Sequence, residues 1–246
     1  MPEAHDADVL VASGIAKRFN AFVAVDGVDF RLGHDEAVGI VGPNGAGKTT
    51  LLNVLAGTYL PSAGTVRFNG ADVSRVDAAG RCRLGIARSH QVPRPFSHMT
   101  VFENVLVAAS TGGGYAGTRA YEASIESLRL CGMLDVGNRE AETLGLLDRK
   151  RLELARALAT DPKVLLLDEI GGGLTDAEAS ELVAIVRELQ GRRIAIVWIE
   201  HVLHVLLQVV GRVVCMNAGR VIAEGVPEVA LANPAVIEAY LGSGVT

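Results

Sequence analysis

The chain has 246 residues, enough for one domain or for a core domain with a smaller insert, and its net charge is −5 at pH 7. This acidic balance argues against a nucleic-acid-binding protein, because such binding depends on basic side chains that neutralise phosphates. Hydrophobic residues make up 49% of the chain, which is explained either by a membrane span or by a parallel sheet buried on both faces.

The most apolar stretch, residues 194–216, distinguishes between these two explanations. It contains Glu200, His201 and Arg212, and each of these side chains is costly in hydrocarbon. A span needs about 20 nearly uninterrupted apolar residues. The N-terminal residues 1–10 are acidic and lack the basic and apolar regions of a signal peptide. We therefore expect a cytoplasmic protein with no membrane span of its own.

The first third of the chain is predicted to alternate strands with turns and one helix. Apolar runs and turn residues predict strands at residues 9–12, 27–32, 37–41, 64–68 and 84–89. An apolar helical stretch is predicted at residues 49–55, directly after a run of glycines.

The pattern becomes helical from residue 92. Pro93 and Pro95 interrupt any regular element, and residues 99–109 and 119–131 then have helical spacing. The sequence therefore predicts a helical subdomain at residues 92–156. It is inserted into a core made of residues 1–91 and 157–246.

The last part of the chain returns to strands. Buried strands are predicted at residues 164–167 and 194–199, and a hairpin at 212–216 and 220–223. Thr175 and Glu178 form a capping box, which predicts the start of a helix. Asn233 and Pro234 predict the start of the last helix.

The strongest motif is a glycine-rich loop between the strand at 37–41 and the helix that follows. This phosphate loop consists of Gly42, Pro43, Asn44, Gly45, Ala46, Gly47, Lys48, Thr49 and Thr50. It matches G-x-x-x-x-G-K-[ST], in which backbone N–H groups and a helix N-terminus surround a phosphate. Lys48 can reach the outer phosphates and the Thr49 hydroxyl can hold Mg²⁺. The motif predicts a P-loop nucleotidase.

Two acids, Asp168 and Glu169, end the apolar run at residues 164–167. Ligands bind at the carboxyl ends of parallel strands, so Asp168 is placed to hold Mg²⁺ through water and Glu169 to polarise the attacking water. A pair of surface acids is the alternative.

Gln91 follows another predicted strand and could sense the γ-phosphate and the metal, or be a loop glutamine. His201 could hydrogen-bond the γ-phosphate, or simply start a helix.

Taken in this order, the motifs resemble those of the ATPase subunits of ABC transporters along nearly the whole chain, most similarly those of branched-chain amino acid importers. GPNGAGKTT is similar to the Walker A motif and LLLDE to the Walker B motif. Gln91 resembles the Q-loop glutamine and His201 the switch histidine. Phe19 resembles the aromatic residue that stacks on adenine, with a core phenylalanine as the alternative. Residues 233–242 resemble the C-terminal end of the branched-chain group.

The resemblance implies an α/β fold: a P-loop NTPase core with a mostly parallel sheet, an N-terminal antiparallel β region and the inserted helical subdomain. It implies an ATP hydrolase that uses ATP and Mg²⁺ and works at the inner face of the plasma membrane. The implied partners are a second ABC ATPase subunit in a homo- or heterodimer, permease subunits and, indirectly, a substrate-binding protein. Branched-chain amino acids are the expected substrate, with urea or short amides as the alternative. An ABC ATPase acting on nucleic acid is the alternative of a different class.

One segment departs from the family pattern. The signature motif, usually Leu-Ser-Gly-Gly-Gln, aligns with residues 144–148, here called the signature segment. The resemblance implies that Gly145 contacts the partner's nucleotide in trans through its backbone N–H, whereas Leu147 adds bulk and Asp148 could cap the next helix. The basic run at residues 149–151 opposes the dipole of a helix that starts there. Either attraction to phosphate or a solvated basic face would explain why basic residues occur at this place. We expect a weakened half-site and slow hydrolysis by the isolated protein.

Overall fold

The computed structural model describes residues 8–242, so most of the N-terminal segment 1–10 lies outside the described residues. Its strands form two sheets. They are β1 (Asp8–Phe19), β2 (Phe22–Gly33), β3 (Ala37–Val41), β4 (Ala63–Phe68), β5 (Ala71–Asp72), β6 (Ile86–Arg88), β7 (Val164–Asp168), β8 (Ala195–Ile199), β9 (Arg212–Asn217) and β10 (Arg220–Gly225).

The helices lie between and after the strands of the larger sheet. They are α1 (Lys48–Ala56), α2 (Ala78–Leu84), α3 (Val101–Thr111), α4 (Thr118–Leu130), α5 (Leu146–Leu158), α6 (Asp176–Gln190), α7 (Leu203–Leu206), α8 (Pro227–Leu231) and α9 (Pro234–Gly242). Two short 3-10 helices, Leu134–Val136 and Ala141–Thr143, connect α4 to α5.

The sheets confirm the predicted α/β class. The six-stranded sheet has the order β10-β9-β3-β8-β7-β6, and its strands are parallel except for the antiparallel edge strand β10. The four-stranded sheet β2-β1-β4-β5 is antiparallel. Every residue of β3, β7 and β8 is buried. Strands buried on both faces account for the high hydrophobic content.

The apolar stretch at residues 194–216 belongs to this core. It forms β8, α7 and most of β9. Within residues 8–242, no helix combines the length and the apolar character that crossing a membrane would require.

The strand predicted at residues 84–89 is shorter in the structure. Leu84 ends α2, and Gly85 follows it with a left-handed φ of 111°, so β6 begins only at Ile86. Helix α2 was not predicted because its sequence, AAGRCRL, has no apolar periodicity and contains a glycine. The signal that could have located it is Asp77, whose side chain caps the helix by accepting from the N–H of Gly80.

The helical region contains three helices that pack against one another, α3, α4 and α5. The capping side chain of Thr100 sets the start of α3 at Val101 rather than at residue 99. The predicted capping box of Thr175 and Glu178 is confirmed at the start of α6.

Helix α5 continues to Leu158 and so crosses the predicted boundary at residue 156. The division into a core of residues 1–91 and 157–246 and a helical subdomain of residues 92–156 stays a prediction.

Candidate active site

The phosphate loop joins β3 to α1 and requires glycine at two positions. Gly42 has a φ of 148° and a Cβ atom there would lie 2.1 Å from the carbonyl oxygen of Met216. Gly47 has a φ of 99° and a Cβ atom there would lie 2.4 Å from the carbonyl oxygen of Ala24. Because no side chain fits, the backbone itself forms the wall of the loop. Gly47 is also the N-cap of α1.

Lys48 is folded into this loop and is only 5% exposed. Its Nζ atom donates to the carbonyl oxygens of Gly42, at 2.7 Å, and Pro43, at 3.0 Å. Burial lowers the pKa of the ammonium group from its ordinary value, and the carboxylates of Glu169 and Asp168 partly oppose this effect. The loop therefore holds a desolvated positive charge against its own backbone carbonyl oxygens.

The cavity at the phosphate loop measures about 200 Å³. It is lined by residues 45–50 together with Phe22 and Ala24. A larger cleft of about 910 Å³ lies between α4 and the segments before β7 and β8. These segments precede the amino ends of the parallel strands, so this cleft lies away from the carboxylates at the ends of β7 and β8.

Three of the predicted catalytic residues meet at the carboxyl edge of the sheet. Glu169 follows β7, has a left-handed φ of 49°, and donates its N–H to the carbonyl oxygen of Ile199 at 2.8 Å. Its Oε1 atom lies 2.8 Å from Nε2 of His201, and its Oε2 atom accepts a hydrogen bond from Nε2 of Gln91. One carboxylate thus connects the segment after β6 with the segment after β8.

Asp168 is 1% exposed and its two carboxylate oxygens have different surroundings. Oδ2 lies 2.8 Å from Nη2 of Arg88. Oδ1 is buried and has no hydrogen-bond partner among residues 8–242. A buried acceptor left in this state calls for a water or an ion. Since Mg²⁺ prefers oxygen ligands and keeps several waters, Asp168 and the exposed Thr49 fit this ion.

The structure also brings polar residues to the site that the motif analysis did not select. The buried carboxylate of Glu200 accepts from the N–H groups of Gly171, at 2.8 Å, and His201, at 2.9 Å. It therefore holds the loop after Glu169 next to His201. The one available signal was its position directly after a buried strand and before the candidate histidine.

The signature segment leads into α5, and the predicted capping role of Asp148 is wrong. Gly145 is the N-cap, so Asp148 lies inside the first turn instead of capping the helix. The basic run at 149–151 starts beyond the first three helical residues, where the unfavourable dipole interaction is smaller. Gly145 itself is exposed, and a Cβ atom added there would meet no atom within 4 Å.

The basic run is a solvated face only in part, because Arg149 is exposed but Lys150 is not. Lys150 is buried and donates to the carbonyl oxygen of Glu169 at 3.3 Å. Arg149 donates to the carbonyl oxygens of Leu144 and Glu142, each at 2.9 Å. Arg151 pairs with Asp148, within α5, and with Glu181 on α6. Each of the three cations therefore has a partner within the protein, and Lys150 ties α5 to the Glu169 backbone.

Phe19, the predicted adenine-stacking residue, does not line the cavity at the phosphate loop. Its ring packs edge-on against Tyr59, with 5.2 Å between centroids, and Nζ of Lys17 lies 5.1 Å from its centroid. Phe22, which the sequence analysis passed over, is 64% exposed and does line the cavity. The structure thus places Phe22 beside the phosphate loop, whereas Phe19 packs against Tyr59.

Replacing Phe22 with alanine is expected to weaken ATP binding by about 5- to 150-fold, because stacking of an aromatic ring on a base contributes about 1–3 kcal/mol. Phe19→Ala is the matched variant, and we expect a smaller loss from it. Equilibrium titration with a fluorescent ATP analogue measures both. A greater loss in Phe19→Ala would return the adenine contact to Phe19.

Comparison with known proteins identifies the family. The family model for ABC transporters matches residues 25–171. The chain belongs to the ABC transporter family. A second model, for the branched-chain amino acid ATP-binding cassette transporter, matches residues 220–246 of this ABC ATPase.

Curated relatives of the ABC ATPase match it over nearly its whole length. LivG of Salmonella typhimurium, a high-affinity branched-chain amino acid transport ATP-binding protein, is 37% identical over 95% of the chain and 98% of its own length. BraF of Pseudomonas aeruginosa, which carries the same description, is 34% identical with the same coverage. The predicted resemblance to this group is confirmed.

Solved structures agree with the fold. A nucleotide-free ATP-binding cassette from an ABC transporter superposes with a TM-score of 0.86 at 30% identity, covering 95% of this chain and 98% of that one. A cassette in its ADP conformation gives the same TM-score and identity, covering 96% and 99%. A dimeric cassette bound to ADP and phosphate, 21% identical with a TM-score of 0.79, supports the fold alone.

Proposed function

We propose that this ABC ATPase is the motor of an importer for branched-chain amino acids. The observation that carries the motor function is the Glu169 carboxylate, held between Gln91 and His201 at the sheet edge that also carries the phosphate loop. The names of its relatives LivG and BraF support the substrate class.

The proposed roles follow from the contacts in the site. The amides of the phosphate loop, with Thr50, bind the phosphates, and Lys48 exchanges its two carbonyl partners for phosphate oxygens. Thr49, Asp168 and Gln91 hold Mg²⁺, which when bound neutralises charge on the phosphates. Glu169 accepts a proton from the attacking water, and His201 contacts the γ-phosphate.

The proposed working unit is a dimer with a second ABC ATPase subunit, either a copy of this chain or a paralogue. Gly145 of one subunit contacts the nucleotide on the phosphate loop of the other. ATP favours the closed dimer because it makes contacts across the interface that ADP lacks, which is a population shift. The helical region 92–156 docks against permease subunits at the inner face of the plasma membrane, and these receive substrate from a binding protein.

The test of this function is substrate-dependent ATP turnover. The chain is assembled with its permease subunits in proteoliposomes, and turnover is measured with binding protein carrying leucine or urea, or with DNA added instead. Stimulation by the leucine-loaded protein is the expected result. Stimulation of ATP turnover only by the urea-loaded binding protein would change the proposed substrate class. Stimulation of ATP turnover by DNA would contradict a transport function.

The signature segment gives a second expected result. Leu147→Gly combined with Asp148→Gln removes bulk and a carboxylate from the surface proposed to approach the partner's phosphates, and is expected to raise turnover of the isolated protein about tenfold, or roughly 1.4 kcal/mol. Glu142→Gln is the matched control, since it removes the same charge from an exposed residue just before the segment. Unchanged turnover in the double variant would show that the departure from the family pattern does not limit hydrolysis.

A further inference from the structure

The side chain of Arg88, at the end of β6, connects two elements of the site. Its Nη2 atom lies 2.8 Å from Oδ2 of Asp168 on β7. Its Nη1 atom donates to Oδ1 of Asn53 on α1. Asn53 in turn donates through Nδ2 to the carbonyl oxygen of Thr49 at 2.7 Å. A continuous chain of polar contacts therefore links Thr49 to Asp168.

These contacts are well shielded from solvent. The side chain of Arg88 is 13% exposed, whereas those of Asp168 and Asn53 are buried. The position of Arg88 is fixed by the parallel pairing of β6 with β7, in which it lies opposite Leu166. A guanidinium group presents its donors in a rigid planar fork, so one side chain can hold two acceptors at once. A lysine ammonium could not reproduce this geometry.

The arrangement leaves one oxygen of Asp168 available. Arg88 occupies Oδ2, while Oδ1 is buried and has no hydrogen-bond donor within the described part of the chain. Thr49 and Asp168 are the two residues whose oxygens fit Mg²⁺ best, and they lie on different elements. The contacts of Asn53 and Arg88 connect these two elements.

We propose that Arg88 is a positioning residue for the metal. It orients the Asp168 carboxylate so that Oδ1 faces the hydrated ion, and through Asn53 it holds the phosphate-loop helix in register with β7. This inference rests on the proposed use of Mg²⁺-ATP at this site. Residues that orient metal ligands without touching the metal commonly change metal affinity by about 10- to 100-fold when replaced.

A purely structural ion pair is the competing explanation, and metal affinity separates the two. Arg88→Met is compared with Arg212→Met in the full chain. Arg212 lies at the start of β9 in the same sheet, is 21% exposed, and pairs with Glu36 and Glu224 away from the site. Binding of Mn²⁺ to the ATP-bound protein is measured by electron paramagnetic resonance, and ATP binding is measured separately in EDTA.

The expected result is Mn²⁺ binding that is about 10- to 100-fold weaker in Arg88→Met, with ATP binding in EDTA and Mn²⁺ binding in Arg212→Met both unchanged. Asn53→Leu keeps the ion pair with Asp168 but breaks the link to Thr49, so a smaller loss is expected. Should Arg88→Met fail to fold, Arg88→Lys and Asn53→Leu carry the test, each with weakened Mn²⁺ binding.

Wild-type Mn²⁺ affinity in the folded Arg88 variants would overturn the inference, as would an equal loss of ATP binding in EDTA. These outcomes differ from a failure of the proposed function. In that case the wild-type protein itself would show no divalent-metal dependence of ATP binding or turnover.

Discussion

Replacing Glu169 with glutamine is expected to lower ATP turnover by about 10²- to 10⁴-fold, the usual contribution of a positioned general base. The side chain keeps its shape, so its contacts with Gln91 and His201 can largely persist. What is lost is the negative charge and the ability to accept a proton from water. The phosphate loop is unchanged, and ATP binding should be retained.

Steady-state turnover and size exclusion with ATP and Mg²⁺ together test this variant. An ATP-dependent dimer of the variant alone would show that the signature segment can still clamp nucleotide and would support a homodimeric motor. An ATP-bound monomer would favour a heterodimer whose partner supplies a more typical signature.

The control for this experiment is Asp176→Asn, which removes one negative charge from an exposed side chain at the start of α6. Its turnover should equal that of the wild-type protein. If Glu169→Gln also retained wild-type turnover, Glu169 would not be the base.

Replacing Arg81 with methionine is expected to lower the free energy of unfolding by about 3–5 kcal/mol, since each buried acceptor left without its partner costs about 1–3 kcal/mol. Arg81 is fully buried on α2. It donates to the carbonyl oxygens of Val54 and Leu55 at the end of α1, and to those of Val73 and Val76. Burial lowers the pKa of its guanidinium group to about 10, so the group is still charged at pH 7.

Urea denaturation measures this effect directly, and thermal unfolding should show a fall in Tm of roughly 10 °C. Arg83→Met is the matched control, because Arg83 lies on the same helix with an exposed side chain. Its effect should stay within about 0.5 kcal/mol. Equal losses in both variants would mean that the buried hydrogen bonds of Arg81 contribute little to stability.

Several features of the site were predictable because they depend on local sequence. The phosphate loop lies between a short apolar strand and a helix, and this local order is enough to predict its conformation. Glu169, Gln91 and His201 were predicted one at a time, each from its place after a predicted strand. Their meeting at one carboxylate follows from parallel strands that end at the same edge of the sheet.

Other features could not be predicted because their partners are remote in sequence. Arg88 lies 35 residues from Asn53 and 80 from Asp168, so no local window contains the network. The sequence of the basic run at 149–151 indicates a solvated face or attraction to phosphate. Lys150 instead donates to the carbonyl oxygen of Glu169, 19 residues away, which local charge counting cannot show.

The α/β class, the phosphate loop and the order of the site residues could be predicted from the amino-acid sequence, because strand and helix periodicity and turn chemistry are local properties. Packing of the folded chain places Phe22 rather than Phe19 at the cavity. Packing also brings Arg88 to one oxygen of Asp168 and leaves the other without a partner among the residues described. The physical reason is that cavities and buried polar contacts exist only once β6, β7 and α1 are packed together.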